Sequence, residues 1–308
     1  DDVESRGLGD VYKRQVLGAI FLYRTELVTF YMNTFLNPNR EASIDSSERN
    51  EYYTGANYFY VQSTNNFTPT SKQDLKNIYY TVLDSGLDDF TFYCDDNYKD
   101  CLKDIKDLSN DQITLSHINN FVHPFNSFKN IETEFDSLGK IVIHVEHTYS
   151  DDDIARINRK VDEILTTITT TDTQEKIRAV HDYLIHSTRY DSERTDHNIV
   201  TYESDNAIGP LFQGYGICGG YTDAMAIFLT RFGLPNIKVA SENHIWNLVQ
   251  LNQQWYHLDV TWDDPITTSG IDTIEYSFFL IDASKLDEID VDQHQHDFDP
   301  TVYEEATI

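Results

Sequence analysis

A cysteine, a histidine and an aspartate stand in three segments that suit a thiol nucleophile, its base and the residue orienting that base. Cys218 lies in GYGICGGYTDAMAIFL, His244 in HIWNL and Asp259 in QWYHLDVTWDDP, in that order and 26 and 15 residues apart. Gly214, Gly216, Gly219 and Gly220 surround the cysteine and let the backbone turn sharply into a helix. A thiol in a first helical turn sits at the positive end of the helix dipole, which favours the thiolate. Backbone N–H groups there are also open to a developing oxyanion. The same segment would suit a small buried cysteine packing where a helix meets the core, so the neighbouring elements must decide.

From Tyr221 onward, Ala224/Met225, Ile227/Phe228 and Phe232 recur at helical spacing, and Gly233 with Pro235 ends the helix. HIWNLVQL and QWYHLDVTW read as two strands joined near Asn252–Gln253. A two-residue loop places His244, Trp246, His257, Asp259 and Thr261 on one face, with Asp259 the diagonal neighbour of His244. An odd-length loop would send Asp259 to the opposite face. In the even register the carboxylate accepts from one imidazole nitrogen and leaves the other for the thiol proton. His257 is the competing base, further along the same face and nearer the turn.

These residues resemble the transglutaminase-like (papain-like) superfamily, in particular its bacterial transglutaminase-like domain branch. GYGICGGY, HIWN and WYHLDVTWD follow a family pattern of G-x-C-x-G-Y, H-x-W-N and W-x-x-x-D-x-T-W-D in order and spacing. HDYLIHSTRYD (181–191) resembles the segment that precedes it. The resemblance covers roughly 150–285. It implies Cys218 as nucleophile, His244 as general base and acid, and Asp259 as orienter, with acyl transfer through a thioester on a peptide or protein amide. The acceptor, water or an amine, is left open. Gln213, five residues before the cysteine, is a candidate oxyanion donor, and Trp246 and Trp262 are candidates to line the acyl site, although packing of the hairpin would account for both tryptophans. Asp263 and Asp264 are expected to fix the turn at Pro265. No cofactor is called for. A non-catalytic surface module retaining the fold is the alternative reading, and an intracellular peptide-glycan amidase would normally bring zinc-binding CxxC pairs, which this chain lacks.

The implied fold is α+β, a papain/transglutaminase-like core in which the Cys218 helix packs on an antiparallel β-sheet. Two helices over 152–187 precede it. IARINRKVDEIL places Ile154, Ile157, Val161 and Ile164 at helical spacing behind Ser150 and Asp151 as caps, and TQEKIRAVHDYLIHST follows with Thr173 as N-cap. His181 lies on the apolar stripe of the second helix and reads as a satisfied core histidine. An upstream mixed α/β region over 51–149 contains a helix over 72–86 and strands at 52–62, 90–94 and 140–149.

Of the 308 residues, 52 are acidic and 23 basic, a net charge of −29 that repels phosphate backbones and disfavours nucleic acid as a partner. Residues 281–308 hold nine acids against Lys285 alone and read as an exposed tail, with 286–308 lying outside the catalytic domain. His294 and His296 in that tail lack the further ligands of a closed metal site, and DDD at 151–153 does not follow calcium-loop spacing. Three cysteines are few. In an oxidising compartment Cys94 and Cys101 would close a small loop, worth about 2–3 kcal/mol on the loop-entropy account, and leave Cys218 as the odd thiol. Three reduced, buried cysteines are the alternative.

Residues 1–15 show no apolar period and read as a non-native tract. VLGAIFL (16–22) opens a possible truncated signal or anchor helix over 16–36, followed by a polar linker over 37–50. That pattern makes an extracellular or cell-surface location the expectation. Oligomeric state is not legible.

Overall fold

The computed structural model describes residues 23, 24, 31, 41–265, 274–290 and 294–308. The tract expected at 1–15 lies outside the described residues, as does nearly all of the segment at 16–36. Among the described residues no helix is long and apolar enough to cross a membrane.

The upstream region begins with α1 (Lys72–Asp84), whose Ser71 side chain accepts from the Asp74 N–H and so satisfies one orphan donor of the first turn. A three-stranded antiparallel sheet follows, with β1 (Asp89–Tyr93) and β2 (Phe128–Phe135) pairing on either side of β3 (Lys140–His147). The alternation of Ile141, Ile143 and Val145 in β3 sets its buried face, against which Phe90, Phe92 and Ile131 lie. Two short helices, α2 (Cys101–Asn110) and α3 (Gln112–Asn119), connect β1 to β2. The strand expected at 52–62 does not form and is reduced to one bridge between Asn57 and Gln62. Several of its backbone donors go to side chains instead. The buried Asp84 carboxylate accepts from the Thr54 and Gly55 N–H groups, and Asn57 accepts from Ser63.

Ser150 and Asp153 close a reciprocal capping box at the start of α4 (Asp151–Leu165), which explains the DDD run as helix-start chemistry. In α5 (Thr173–Ser187) the N-cap is Asp172, one residue earlier than expected, with its carboxylate on the Glu175 N–H. Ile157, Val161, Ile177, Val180 and Leu184 bury the facing stripes. A two-stranded parallel pair, β4 (Arg189–Tyr190) and β5 (Tyr215–Gly216), leads into α7 (Cys218–Arg231), with the short α6 (Ser192–His197) between them.

A second antiparallel sheet runs β6 (Asn236–Ala240), β7 (Ile245–Leu251), β8 (Gln254–Leu258) and β9 (Phe279–Ile281) in that spatial order. The β7–β8 turn is the two-residue Asn252–Gln253, both at positive φ, 51° and 69°. That primed turn fixes the even register, with Leu251 opposite Gln254 and Asn247 opposite Leu258. The fold is therefore the α+β arrangement expected of the sequence, with β6 and β9 added as flanking strands.

The second sheet separates two hydrophobic clusters. Trp246, Leu248 and Trp255 join a core that extends through α1, α2 and the first sheet. Val249, Leu251, Leu258 and Val260 face α4, α5 and α7. The reading of 281–308 as an exposed tail is corrected by the structure. After α8 (Ala283–Ile289), Asp290, His296, Val302, Tyr303, Glu305 and Ala306 are all buried. Phe298 and Tyr303 supply enough apolar surface to hold the segment down despite its acidic residues.

Gln253 adopts φ 69° without being glycine, a conformation that costs an L-residue roughly 1 kcal/mol. Gln253→Gly is expected to raise the urea midpoint by about 0.5–1 kcal/mol of stability at unchanged m-value. A lowered midpoint would show that the turn is not the strained element.

Candidate active site

A close backbone approach and two hydrogen bonds bring the start of α7 to the start of β7. The helix starts at Cys218, and its N-cap Ile217 offers no capping side chain, so the first-turn N–H groups have no acceptor from that residue. Gly214 precedes it at φ 73°, which only glycine adopts without strain. Gly220 is needed for a different reason. A Cβ there would lie 2.3 Å from the Ser204 carbonyl oxygen, because the 203–206 backbone presses against this turn. Two hydrogen bonds then tie helix to strand: Thr222 Oγ1 donates to the Ile245 carbonyl at 3.0 Å, and Asn247 Nδ2 donates to the Thr222 carbonyl at 3.0 Å. Cys218 is half-buried and free of disulfide.

His244, immediately before β7, donates from Nε2 to Asp259 Oδ2 at 2.5 Å. The Cys218 side chain is a close neighbour of the imidazole and adds to the forces that raise its pKa. Burial opposes a charged ring here, but the Asp259 charge and hydrogen bond, with a smaller contribution from Cys218, hold the His244 pKa up to about 10. Asp259 is 2% exposed. Burial would push its carboxyl up, yet the His244 cation and donors from His244 and His296 hold it well below the usual carboxylate range. Asp259 Oδ1 accepts from the Thr261 and Trp262 N–H groups at 2.9 and 3.2 Å.

Other residues singled out in the sequence have different employment. Gln213 is exposed, and its amide is committed to Glu203, accepting from the backbone N–H at 2.8 Å and donating to the carboxylate at 3.0 Å. It is not free to serve an oxyanion. Trp246 is fully buried, donating from Nε1 to His257 Nδ1 at 2.9 Å, and it packs parallel to the His244 ring rather than lining an open acyl pocket. Trp262 is partly buried and meets the His244 ring edge-on. His257 is held between Trp246 and the Ala306 carbonyl, and burial pushes its pKa down to about 4. His181 is a core histidine between Asp182 and Asp263, at 3.0 and 3.1 Å. Asp263 also accepts from the Phe278 N–H, while Asp264 accepts from Tyr221, so both acids do more than shape the turn at Pro265. Cys94 and Cys101 are joined by a disulfide, with Cα atoms 5.9 Å apart.

His296 is the residue that sequence reasoning discounted. Its Nε2 donates to Asp259 Oδ2 at 2.9 Å, and its Nδ1 lies 3.2 Å from Asp290 Oδ1. The available signal was the apolar spacing of Phe298, Val302, Tyr303 and Ala306, which marks a docked segment. His244, Asp259 and His296 offer one ligand atom each within 4.8 Å of one another, the arrangement that could hold a metal ion. Their direct hydrogen bonds at 2.5 and 2.9 Å are closer than the roughly 3.3 Å that ligands keep around a tetrahedral ion with bonds near 2.0–2.1 Å. The donor atoms would have to part to admit one.

Residues 159–260, which include Cys218, His244 and Asp259, match the family model of the transglutaminase-like superfamily. Over this segment the chain is similar to that superfamily. The crystal structure of a TGase aligns at 12% identity and a TM-score of 0.34. The alignment covers 49% of this chain and 48% of the TGase, so about half the length of each is shared. No curated protein sequence matches the chain significantly.

The His244 titration depends on Asp259, so Asp259→Asn should drop it well below about 10, because burial is then opposed only by the smaller contribution from Cys218. Histidine NMR titration reads this directly. A pKa raised on folding stabilises fully below the unfolded value and is lost as pH rises through the folded one. The stability that His244 contributes should therefore fade between about pH 6.5 and about 10.

Proposed function

We propose that this protein is a thiol-dependent acyl-transfer enzyme acting on peptide or protein amides, with Cys218 as nucleophile, His244 as acid and base, and Asp259 as the orienting carboxylate. The observation that carries the reading is the His244 ring, hydrogen-bonded to a buried carboxylate and a close neighbour of the Cys218 thiol. A histidine held as a cation beside a half-buried thiol is the pairing a cysteine nucleophile needs.

In the proposed reaction the Cys218 sulfur attacks the amide carbonyl carbon and the C–S bond forms. Charge gathers on the carbonyl oxygen, where first-turn N–H groups of α7, including that of Cys218, serve as donors in place of Gln213. The C–N bond then breaks, and the leaving amine takes the proton from the His244 imidazolium. Water or a primary amine attacks the resulting thioester while neutral His244 takes the incoming proton. The C–S bond breaks and the thiolate returns.

Hydrolysis at an extracellular or cell-surface location is the reading we favour. The Cys94–Cys101 disulfide supports an oxidising compartment, and the apolar run at 16–22 supports export. Neither feature specifies the substrate sequence.

Cys218→Ala should abolish labelling by an acylating thiol probe, whereas the double variant Cys94→Ala/Cys101→Ala should label like the wild type. His244→Asn should slow iodoacetamide alkylation of Cys218 at pH 6.5 by at least about tenfold. Equal alkylation in wild type and His244→Asn would instead favour an inert module that keeps only the fold.

A further inference from the structure

We infer that His296 is a positioning residue for the proposed reaction, locking the Asp259 carboxylate so that His244 stays aimed at Cys218. The inference rests on the acyl-transfer reading and adds to it a residue outside the 159–260 match. An ionised carboxylate accepts through about four lone-pair sites on two oxygens. In Asp259 all are used: Oδ1 by the Thr261 and Trp262 N–H groups, and Oδ2 by His244 and His296. With His296 absent, Oδ2 would have His244 as its donor, and only the two N–H groups on Oδ1 would keep the carboxylate from following the ring as it moves. With His296 present, rotation of the carboxylate breaks a second charge-assisted hydrogen bond inside the core.

His296 is itself held from every side. Donation to Asp259 requires a proton on Nε2, and the contact with Asp290 is a hydrogen bond when Nδ1 carries one as well, as in the imidazolium. Asp290 faces Nδ1 through Oδ1 and accepts from the His296 backbone N–H through Oδ2 at 2.9 Å. Phe278 stacks on the ring at a centroid distance of 4.7 Å, Trp246 meets it edge-on at 4.7 Å, and Trp262 lies at 5.6 Å. The titratable groups touching it are Asp259 and Asp290, and the His244 ring lies 5.2 Å away. A histidine whose purpose was only to fill this aromatic box would not need a carboxylate on each nitrogen. The line Asp290, His296, Asp259, His244 carries orientation from the C-terminal segment to the thiol.

The test compares His296→Leu, which fills the box without a donor, with His296→Gln, whose side-chain amide keeps a donor near the position of Nε2. The readout is the pH dependence of Cys218 alkylation by iodoacetamide between pH 5 and 9, with thermal unfolding followed in parallel. His296→Leu should slow alkylation at pH 6.5 by about tenfold and move the profile toward that of Asp259→Asn, while His296→Gln stays within about threefold of wild type. If His296→Leu does not fold, Asp290→Asn takes its place and should give a smaller shift in the same direction. A wild-type profile in His296→Leu, or in Asp290→Asn where that variant stands in, beside an altered one in Asp259→Asn, would overturn the positioning role alone. Identical profiles for wild type and His244→Asn would overturn the thiol–imidazole reading, and this inference with it.

Discussion

Burying a carboxylate is costly unless its oxygens are met by donors, and Asp259 meets that condition with groups from three separate parts of the chain. Its own turn supplies two N–H groups, the start of β7 supplies His244, and the C-terminal segment supplies His296. Each donor requires a different long-range element to be in place. The β7–β8 register must be even, the 259–265 turn must close, and the segment after α8 must dock. A slip of one residue in the hairpin would turn Asp259 to the face of the sheet that packs on α7 and leave an unpaired charge there. The site therefore acts as a check on the fold around it, because no partial arrangement satisfies the carboxylate.

A second buried charge ties the upstream region to the same helix. Lys238 on β6 pairs with Asp223 on α7 at 3.0 Å, and Asp223 also accepts from the Tyr149 hydroxyl at 2.8 Å. Tyr149 in turn accepts from the Ala207 N–H, and Lys238 reaches Ser127 at 3.2 Å. Such a network adds little net stability, since desolvation offsets most of the attraction, but removing one partner strands another in the core. Its effect is geometric. It sets how the end of the first sheet, α7 and the second sheet meet. Thr222 and Asn247 then set the finer distance between Cys218 and the start of β7.

The parts legible in the sequence were those governed by local pattern. Apolar spacing marked α4, α5 and α7, and the alternation around Asn252–Gln253 carried enough information to place His244 and Asp259 on one face. What failed depended on partners distant in sequence. Residues 52–62 have strand-like composition, but the Thr54 and Gly55 donors are taken by Asp84 from α1 and that of Phe59 by Glu305, contacts that no local window contains. Gln213 looked free because nothing near it in sequence says that Glu203 folds back onto its amide. His296 was hidden by composition: nine acids over 281–308 outweighed the few apolar residues that dock the segment. Charge density is a poor guide to exposure when four or five large side chains suffice to hold a strand of chain against a core.

The His244 pKa sets the order of proton transfers in the proposed reaction. With the ring held up to about 10, it is a cation at neutral pH and enters the first half-reaction as a proton donor. As a cation it cannot accept a proton, so its part in acylation is to protonate the leaving amine. Only after giving up that proton can it act as a base toward the water or amine that resolves the thioester. Neutral imidazole beside the Asp259 anion is the less stable state, because the charge and hydrogen bond of Asp259 outweigh the burial that opposes a charged ring. The same interaction that prepares the ring for acylation therefore makes it a strong base in deacylation, where it must draw a proton from a weak acid. A carboxylate fixed on all sides keeps that interaction at full strength through both half-reactions. If Asp259 could turn away once the ring was neutral, the drive to recover the proton would weaken, and resolution of the thioester would become the slow step.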